Sequence, residues 1–567
     1  MASLLAVAVL VLVTLLIGVR GVAALRTTSD FLVASRRVSP LLNSAAVSGE
    51  YLSAASFLGV AGLVVKDGVG ALWYPVGFTA GYVAMLVLVA APMRRTGALT
   101  VPDFAEARLA SPALRRVSAL VVLVIGGLYA VPQFSVAGLV LSSVTTWPYW
   151  AGVVIAGTAV SVTLALGGMR AATYVQAFQF CLKLLLFIVP AIWLVAQAGP
   201  EVRHEAVHPV EFSRFERDTT VSFQVDAVLT VDEATAVQVS GGAVEVLPPG
   251  RHPITSGTTL VFPEGAEVPR TDSGPPPGAE GWQRPLLDPD DSGHPVLGTW
   301  GVLLATALGT MGLPHVLMRF HTSPDGRSAR RTAAITVALL GVFYVFPGVY
   351  GVLGRVLVPE LYLTGATDTA VVSLPTRVDT GWAGTFMASM LTMGAFAAFL
   401  ATSLGLLLVM AGAIAHDLLP GGLRRLRITV VGVAAITVLL ALPAAQIDAG
   451  TLVTWGFTVA AATFCPLLVL GIWWSRLTAT GAISGVLAGL LSSSGAITIA
   501  LFGPRLEGLA GLLVTQPALW SVPLAFATTV AVSLCDRPAP WSRAAMLRLH
   551  LDEEGPRPRR ERAPDRP

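Results

Sequence analysis

The sequence predicts an all-α polytopic membrane protein of about 13 transmembrane helices with a small β-rich extracellular insertion, and three observations carry the prediction. Hydrophobic residues make up 54% of the 567 and charged residues only 13%, about half the charged share of a soluble domain. Apolar windows long enough to cross about 30 Å of hydrocarbon recur along the chain. A single long stretch, residues 198–296, is too polar for a bilayer.

The windows lie near 3–20, 42–65, 70–92, 117–141, 150–167, 173–197, 297–318, 332–354, 384–412, 428–444, 450–473, 479–502 and 517–535. No lysine or arginine precedes the first, so it is read as a helix rather than a signal peptide. Orientation follows from the cationic loops, which stay cytoplasmic. Alternate loops, starting after the first helix and ending with the tail, hold 26 arginines, whereas the short loops of the other set hold only Lys66, Arg355, Arg377 and Arg505. The N-terminus is therefore expected outside a plasma membrane and the C-terminus in the cytoplasm. The net charge of +3 reflects this orientation signal and not a nucleic-acid surface. Cys181, Cys465 and Cys535 all fall in predicted helices, which implies no disulfide framework.

Four regions result: 1–197 with six helices, 198–296 outside, 297–536 with seven more helices, and a basic, proline-rich, disordered tail at 537–567. The insertion carries sixteen acidic residues against six arginines. Alternating runs at 221–228 and 235–239 predict short strands, and residues 271–295 read as a flexible linker. His204 and His208 share helical spacing, but no further clustered ligands point to a transition metal.

Polar residues inside apolar windows mark the functional candidates, because lipid tolerates them only facing protein or water. The second window contains Gly49, Glu50, Tyr51, Leu52 and Ser53; the seventh contains Thr310, Gly312, Pro314 and His315. Both read as broken helices of the kind that transporters use at the bilayer midplane. The ninth window carries Thr402 and Ser403, whose hydroxyls suit a cation or their own helix carbonyls. Lys183 stands about 15 Å above the inner end of the sixth window, a depth at which it needs a partner. Glu50 and a bound carboxylate are the candidates. Arg319 reads as an anchor at the inner interface, and His315 as either anchor or ligand.

Several strings together are specific: EYLSAASFLG, RRTGALTVPDFAEARL, GGMRAATYVQAFQ, GTMGLPHVLMRF, AIAHDLL and WWSRLTATGA. On these the chain resembles the sodium:solute symporter family, in its branch of acetate and monocarboxylate permeases. The resemblance implies a LeuT-type fold of two inverted five-helix repeats, at 42–197 and 297–473. It also implies a sodium site made by backbone oxygens of Gly49 and Leu52 with Ala398, Ala401 and Thr402, and Ser403 one position on. Where sodium-coupled relatives carry adjacent hydroxyls, this chain has Ala401 and Thr402, and Gln176 matches an acidic position. The resemblance therefore leaves Na+ at that site or H+ exchange through Lys183 and Glu50 as the coupling.

The expected function is cation-coupled symport of a short monocarboxylate such as acetate, propionate or pyruvate. Gly49, Glu50, Tyr51, Ser53, Thr310, Gly312 and His315 are the expected solute residues. No organic cofactor and no partner other than solute and lipid bilayer is implied. The alternative is a membrane receptor for a small organic acid that uses the insertion. No nucleophile and base cluster points to an enzyme.

Overall fold

The computed structural model describes residues 2–20, 27–53, 55–145, 147–223, 226–239, 242, 244–271, 278–288, 292–419, 421–447, 449–504 and 506–551. Among these, ten helices are long and apolar enough to cross a membrane. Pro40–Tyr51 and Ser56–Asp67 form an eleventh span bent by 61°. The expected thirteen are reached only by adding the shorter first helix, Ala2–Arg20, and dividing Tyr149–Gln197 in two. That division is physical. Its 49 residues would run about 74 Å, more than twice the hydrocarbon thickness, and Gly168 interrupts the helix with φ +54°. A side chain at Gly168 would also run into Phe31.

Trp382–Gly412 and Ala449–Trp473 run through the centre of the bundle, buried along most of their length. Pro40–Tyr51 and Trp382–Gly412 both pack against Tyr149–Gln197, while Pro295–Gly312 packs against Ala449–Trp473. Each broken span thus lies against a longer helix. The first is interrupted at Leu52 and Ser53. The second is interrupted at Leu313, whose extended backbone (φ −68°, ψ 113°) precedes Pro314, as expected for a residue before proline.

The arginine-rich loops converge on one end of the bundle. Arg94 donates to the carbonyls of Ser323 and Pro324, and Arg36 to that of Gly97. Arg115 pairs with Glu106 and Asp417, and Arg108 donates to Gly471 at 2.7 Å. Part of the tail joins them: Ser542–Arg548 is helical, Arg95 donates to the Leu549 carbonyl, and His550 sits 2.9 Å from that of Ile472. The rest of the expected disordered tail, from 552 on, lies outside the described residues.

At the opposite end the insertion forms strands β1 (Thr219–Ser222), β2 (Ala227–Val231), β3 (Thr235–Val239), β4 (Val244–Leu247), β5 (Gly250–Ile254), β6 (Thr259–Phe262) and β7 (Arg270–Thr271). They pair antiparallel in two sheets, β1-β6-β3-β4 and β5-β2-β7. Phe215, Val221, Leu229, Val237 and Phe262 fill the space between. So small a core rarely stabilises itself, and here Tyr362 and Leu363, from the helix Leu361–Thr364, complete it. The module is therefore seated on the membrane domain.

The linker expectation needs correction for the described residues 278–288. Trp282 is fully buried and donates its indole N–H to the Val64 carbonyl at 2.7 Å, while Trp73 donates to Pro285. A tryptophan in a polar run carries enough apolar surface to fix the segment over the Asp67 end of the first broken span.

Candidate solute and cation site

Gly49 sits where the first broken span meets the long helix. A Cβ there would lie 2.2 Å from the Gln176 carbonyl oxygen, so only glycine permits this approach. Two residues on, the helix ends: the Leu52 amide still reaches the Ser48 carbonyl and the Ser53 amide that of Tyr51, but the carbonyls of Gly49 and Leu52 have no backbone partner among the described residues. Lys183 fills the gap. Its ammonium donates to the Gly49 carbonyl at 2.6 Å and to the Leu52 carbonyl at 2.7 Å, with the side chain fully buried. Within the protein, the partner of Lys183 is thus the broken backbone rather than Glu50.

Glu50 is paired elsewhere. Arg319 donates to it at 2.5 Å, and the same guanidinium reaches the Thr173 hydroxyl at 2.9 Å and the Gln176 side-chain oxygen. Arg319 is entirely buried, so the reading of an interfacial anchor is wrong. A charge this deep persists because every arm of the guanidinium is engaged. A Cβ at Gly405 would collide with the Glu50 carboxyl, which shows how tightly the pair is enclosed.

The remaining cation candidates divide. Thr402 donates to the Glu50 carbonyl, between the two carbonyls that hold Lys183. The Ala401 carbonyl accepts from Gln176 at 2.6 Å and so is turned to the Arg319 network. Ala398 is buried on the same helix, and the Ser403 hydroxyl has no protein partner among the described residues.

The solute candidates gather between the breaks. The Tyr51 hydroxyl lies 2.7 Å from that of Thr310, joining the two broken spans, and the Tyr129 hydroxyl donates to Ser53 at 3.3 Å. The Ser53 and Ser56 hydroxyls bond each other's backbone amides, closing the first break. The His315 ring stands edge-on to Tyr129 at 5.2 Å, buried, with neither nitrogen partnered among the described residues. Tyr82 packs on Tyr51 at 4.5 Å, and Phe457 lies 5.6 Å from Tyr129. Gly312 sits behind this cluster, where a Cβ would come within 2.5 Å of the Ala460 carbonyl. Sequence reasoning missed Tyr82, Tyr129 and Phe457, since an aromatic residue in an apolar helix carries no local mark of its role.

Both ends of the site are shut. At the arginine-rich end Asn43 donates to the Arg319 carbonyl at 3.1 Å, and Thr322 donates to Asn43. Nearby, burial works against the Asp103 carboxylate, yet His416, the Leu99 amide and Arg115 hold its pKa below the ordinary value. At the other end Gly62 lies against Thr367 and Asp368, and the Asp368 carboxylate accepts from the Ala449 amide. The site is enclosed, as in an occluded transporter.

Two broken helices closing on a buried polar centre, inside a bundle covered at both ends, have the architecture of a membrane transporter. The sodium:solute symporter family model matches residues 31–223 and 294–489, and the chain belongs to that family. It is a multi-pass, cation-coupled symporter and not an enzyme. It is similar to the uncharacterized symporter YwcA of Bacillus subtilis (strain 168), at 28% identity over 88% of each chain. It is likewise 28% identical to a monocarboxylic acid transporter of Corynebacterium glutamicum, over 91% of this chain and 88% of that one. In fold it matches a Na+-coupled sialic acid symporter in a substrate-bound, outward-open state, with a TM-score of 0.66 at 12% identity, covering 95% of this chain and 98% of that one. A nucleobase-cation-symport-1 family transporter in a closed conformation matches at a TM-score of 0.51 and 12% identity, covering 92% of this chain and 99% of that one. The LeuT-type fold expected from the sequence is the fold observed.

Proposed function

We propose that this symporter carries a short monocarboxylate, such as acetate, propionate or pyruvate, into the cell and couples the movement to protons. One observation carries the coupling: the Lys183 ammonium rests on the Gly49 and Leu52 carbonyls, where the family resemblance puts sodium. A cation supplied by the protein itself cannot dissociate, so it cycles only by losing and regaining a proton. With the proton on, Lys183 ties the first broken span to the long helix. Without it, the charge that the two carbonyls stabilise is gone and that tie loosens, freeing the half-helix Pro40–Tyr51 to move.

The solute class is supported by the relative named a monocarboxylic acid transporter. Ser53, Tyr129 and His315 offer hydroxyl and imidazole groups to a small carboxylate, with Tyr51 and Thr310 joining the spans beside it. The arginine-rich end is the cytoplasmic one in this reading, which leaves the β-module outside.

Uptake of labelled acetate, propionate and pyruvate into inverted and right-side-out vesicles, with pH and sodium gradients imposed separately, tests the proposal. A pH gradient alone should drive accumulation. Accumulation that needs sodium and ignores pH would overturn proton coupling, and transport of none of these acids would overturn the solute class.

A further inference from the structure

Where β1 faces the membrane domain there is a cavity of about 470 Å³, bounded by β1, by the segment 358–380 and by the end of the helix Pro112–Val144 at Ser143. Its lining differs from the rest of the insertion. The insertion carries sixteen acidic residues against six arginines, yet two guanidiniums, Arg217 and Arg377, line this cavity with a single carboxylate, Glu360. Glu360 is already paired with Arg377. Arg217, an exposed side chain, has no ion-pair partner among the described residues, so its guanidinium is open to a ligand from solution. Thr220 and Thr380 also line it, and their hydroxyls make no hydrogen bond among the described residues. On β1, Thr220 and Ser222 are the exposed residues, and both line the cavity together with the buried Val221 between them. The guanidiniums are close enough to feel each other: burial and then the Arg217 charge hold Arg377 below its ordinary pKa.

We propose that this cavity is a binding site for a small oxyanion, held by Arg217 with the hydroxyls of Thr220 and Thr380, at the junction of the β-module and the segment 358–380. A guanidinium with neighbouring hydroxyls suits the trigonal or tetrahedral oxygens of a carboxylate or a phosphate. The volume is within the usual range for small-molecule sites, roughly 300–1,000 Å³. A bound anion there would bridge β1 to the segment whose Thr367 and Asp368 lie on Gly62 of the first broken span. Occupancy of the module would in this way bear directly on the outer closure of the transport site. The proposal does not rest on the monocarboxylate reading, since phosphate satisfies the same chemistry.

Equilibrium dialysis of the full-length protein in detergent, with labelled acetate and separately with labelled inorganic phosphate, tests it. Arg217→Gln should weaken binding of one of the two anions at least tenfold, and Thr220→Val should weaken it less. Arg214→Gln, an exposed arginine of the same module that bonds the Gly265 carbonyl, should change nothing. Loss confined to phosphate identifies phosphate as the ligand, and loss of one acetate of two identifies the carboxylate. Unchanged binding of both anions in Arg217→Gln, or equal losses in Arg214→Gln, would overturn the site. A chain that carries no acid in vesicles but binds phosphate through Arg217 would refute the transport reading alone.

Discussion

The two broken spans look alike in sequence and differ in what the structure does with them. At the first break the freed carbonyls of Gly49 and Leu52 are filled by a cation from the protein's own Lys183. At the second the chain turns at Leu313–Pro314 and presents His315, whose ring nitrogens meet no protein partner among the described residues. One break is satisfied from within; the other keeps its polar group for something that comes and goes. On the reading proposed above, the driving cation belongs to the first break and part of the solute to the second.

The largest expected effect comes from Lys183→Met, which breaks the comparison outright. It removes the titratable group that donates to the two carbonyls and leaves each buried oxygen short of that partner, at about 1–3 kcal/mol apiece. Vesicles carrying the variant should equilibrate labelled acid without accumulating it against a pH gradient. Undiminished accumulation would make Lys183 a structural tie and nothing more. Next in size is Glu50→Gln. It leaves the Arg319 guanidinium buried without its carboxylate, and removing one partner of such a pair costs about 3–5 kcal/mol. Thermal unfolding in detergent should register that loss, whereas Asp232→Asn, which breaks the exposed Asp232–Arg270 pair at 2.7 Å, should cost under about 1 kcal/mol. Equal effects would mean that the Glu50 site admits water freely.

A smaller pair of substitutions sharpens the difference in packing. A Cβ at Gly49 would stand 2.2 Å from the Gln176 carbonyl oxygen and one at Gly312 2.5 Å from that of Ala460. Overpacking of this kind costs about 1–3 kcal/mol. Gly49→Ala should be the worse of the two and should also impair coupling, because the residue that carries Lys183's ligand must shift. Gly312→Ala should reduce stability while leaving the ratio of proton to solute flux unchanged. Flux ratios measured on both variants decide the point.

The breaks are legible in the sequence because a bilayer admits polar side chains and open backbone in an apolar window only where they face protein or water. The depth of Lys183 is legible for the same reason. Its partners are not, since backbone carbonyls have no signature in sequence and become ligands only when a helix stops. Arg319 misleads because counting from the end of a window gives depth along one helix and says nothing of Glu50, 269 positions away. The β-module is legible from its alternation, but its dependence on Tyr362 and Leu363 is not: those residues look like any short apolar run. Trp282 misleads for the opposite reason, as a proline-rich and acidic neighbourhood hides one anchoring side chain.

The smallest expected effect is the most pointed. Tyr129 touches both halves of the comparison, donating its hydroxyl to Ser53 at the first break and standing edge-on to His315 at the second. Tyr129→Phe keeps the ring against Phe457 and removes only the hydroxyl. A neutral hydrogen bond is worth about 0.5–1.5 kcal/mol, which corresponds to about two- to twelvefold in an equilibrium constant. If the hydroxyl serves the solute, KM for uptake should rise within that range with the maximal rate nearly unchanged. If it serves only the geometry of the first break, the maximal rate and the response to pH should fall and KM should stay. Tyr51→Phe provides the contrast, because the Tyr51 hydroxyl is already engaged with Thr310. A loss in maximal rate for Tyr51→Phe, set beside a loss in affinity for Tyr129→Phe, would separate the residue that joins the two spans from the one that meets the cargo.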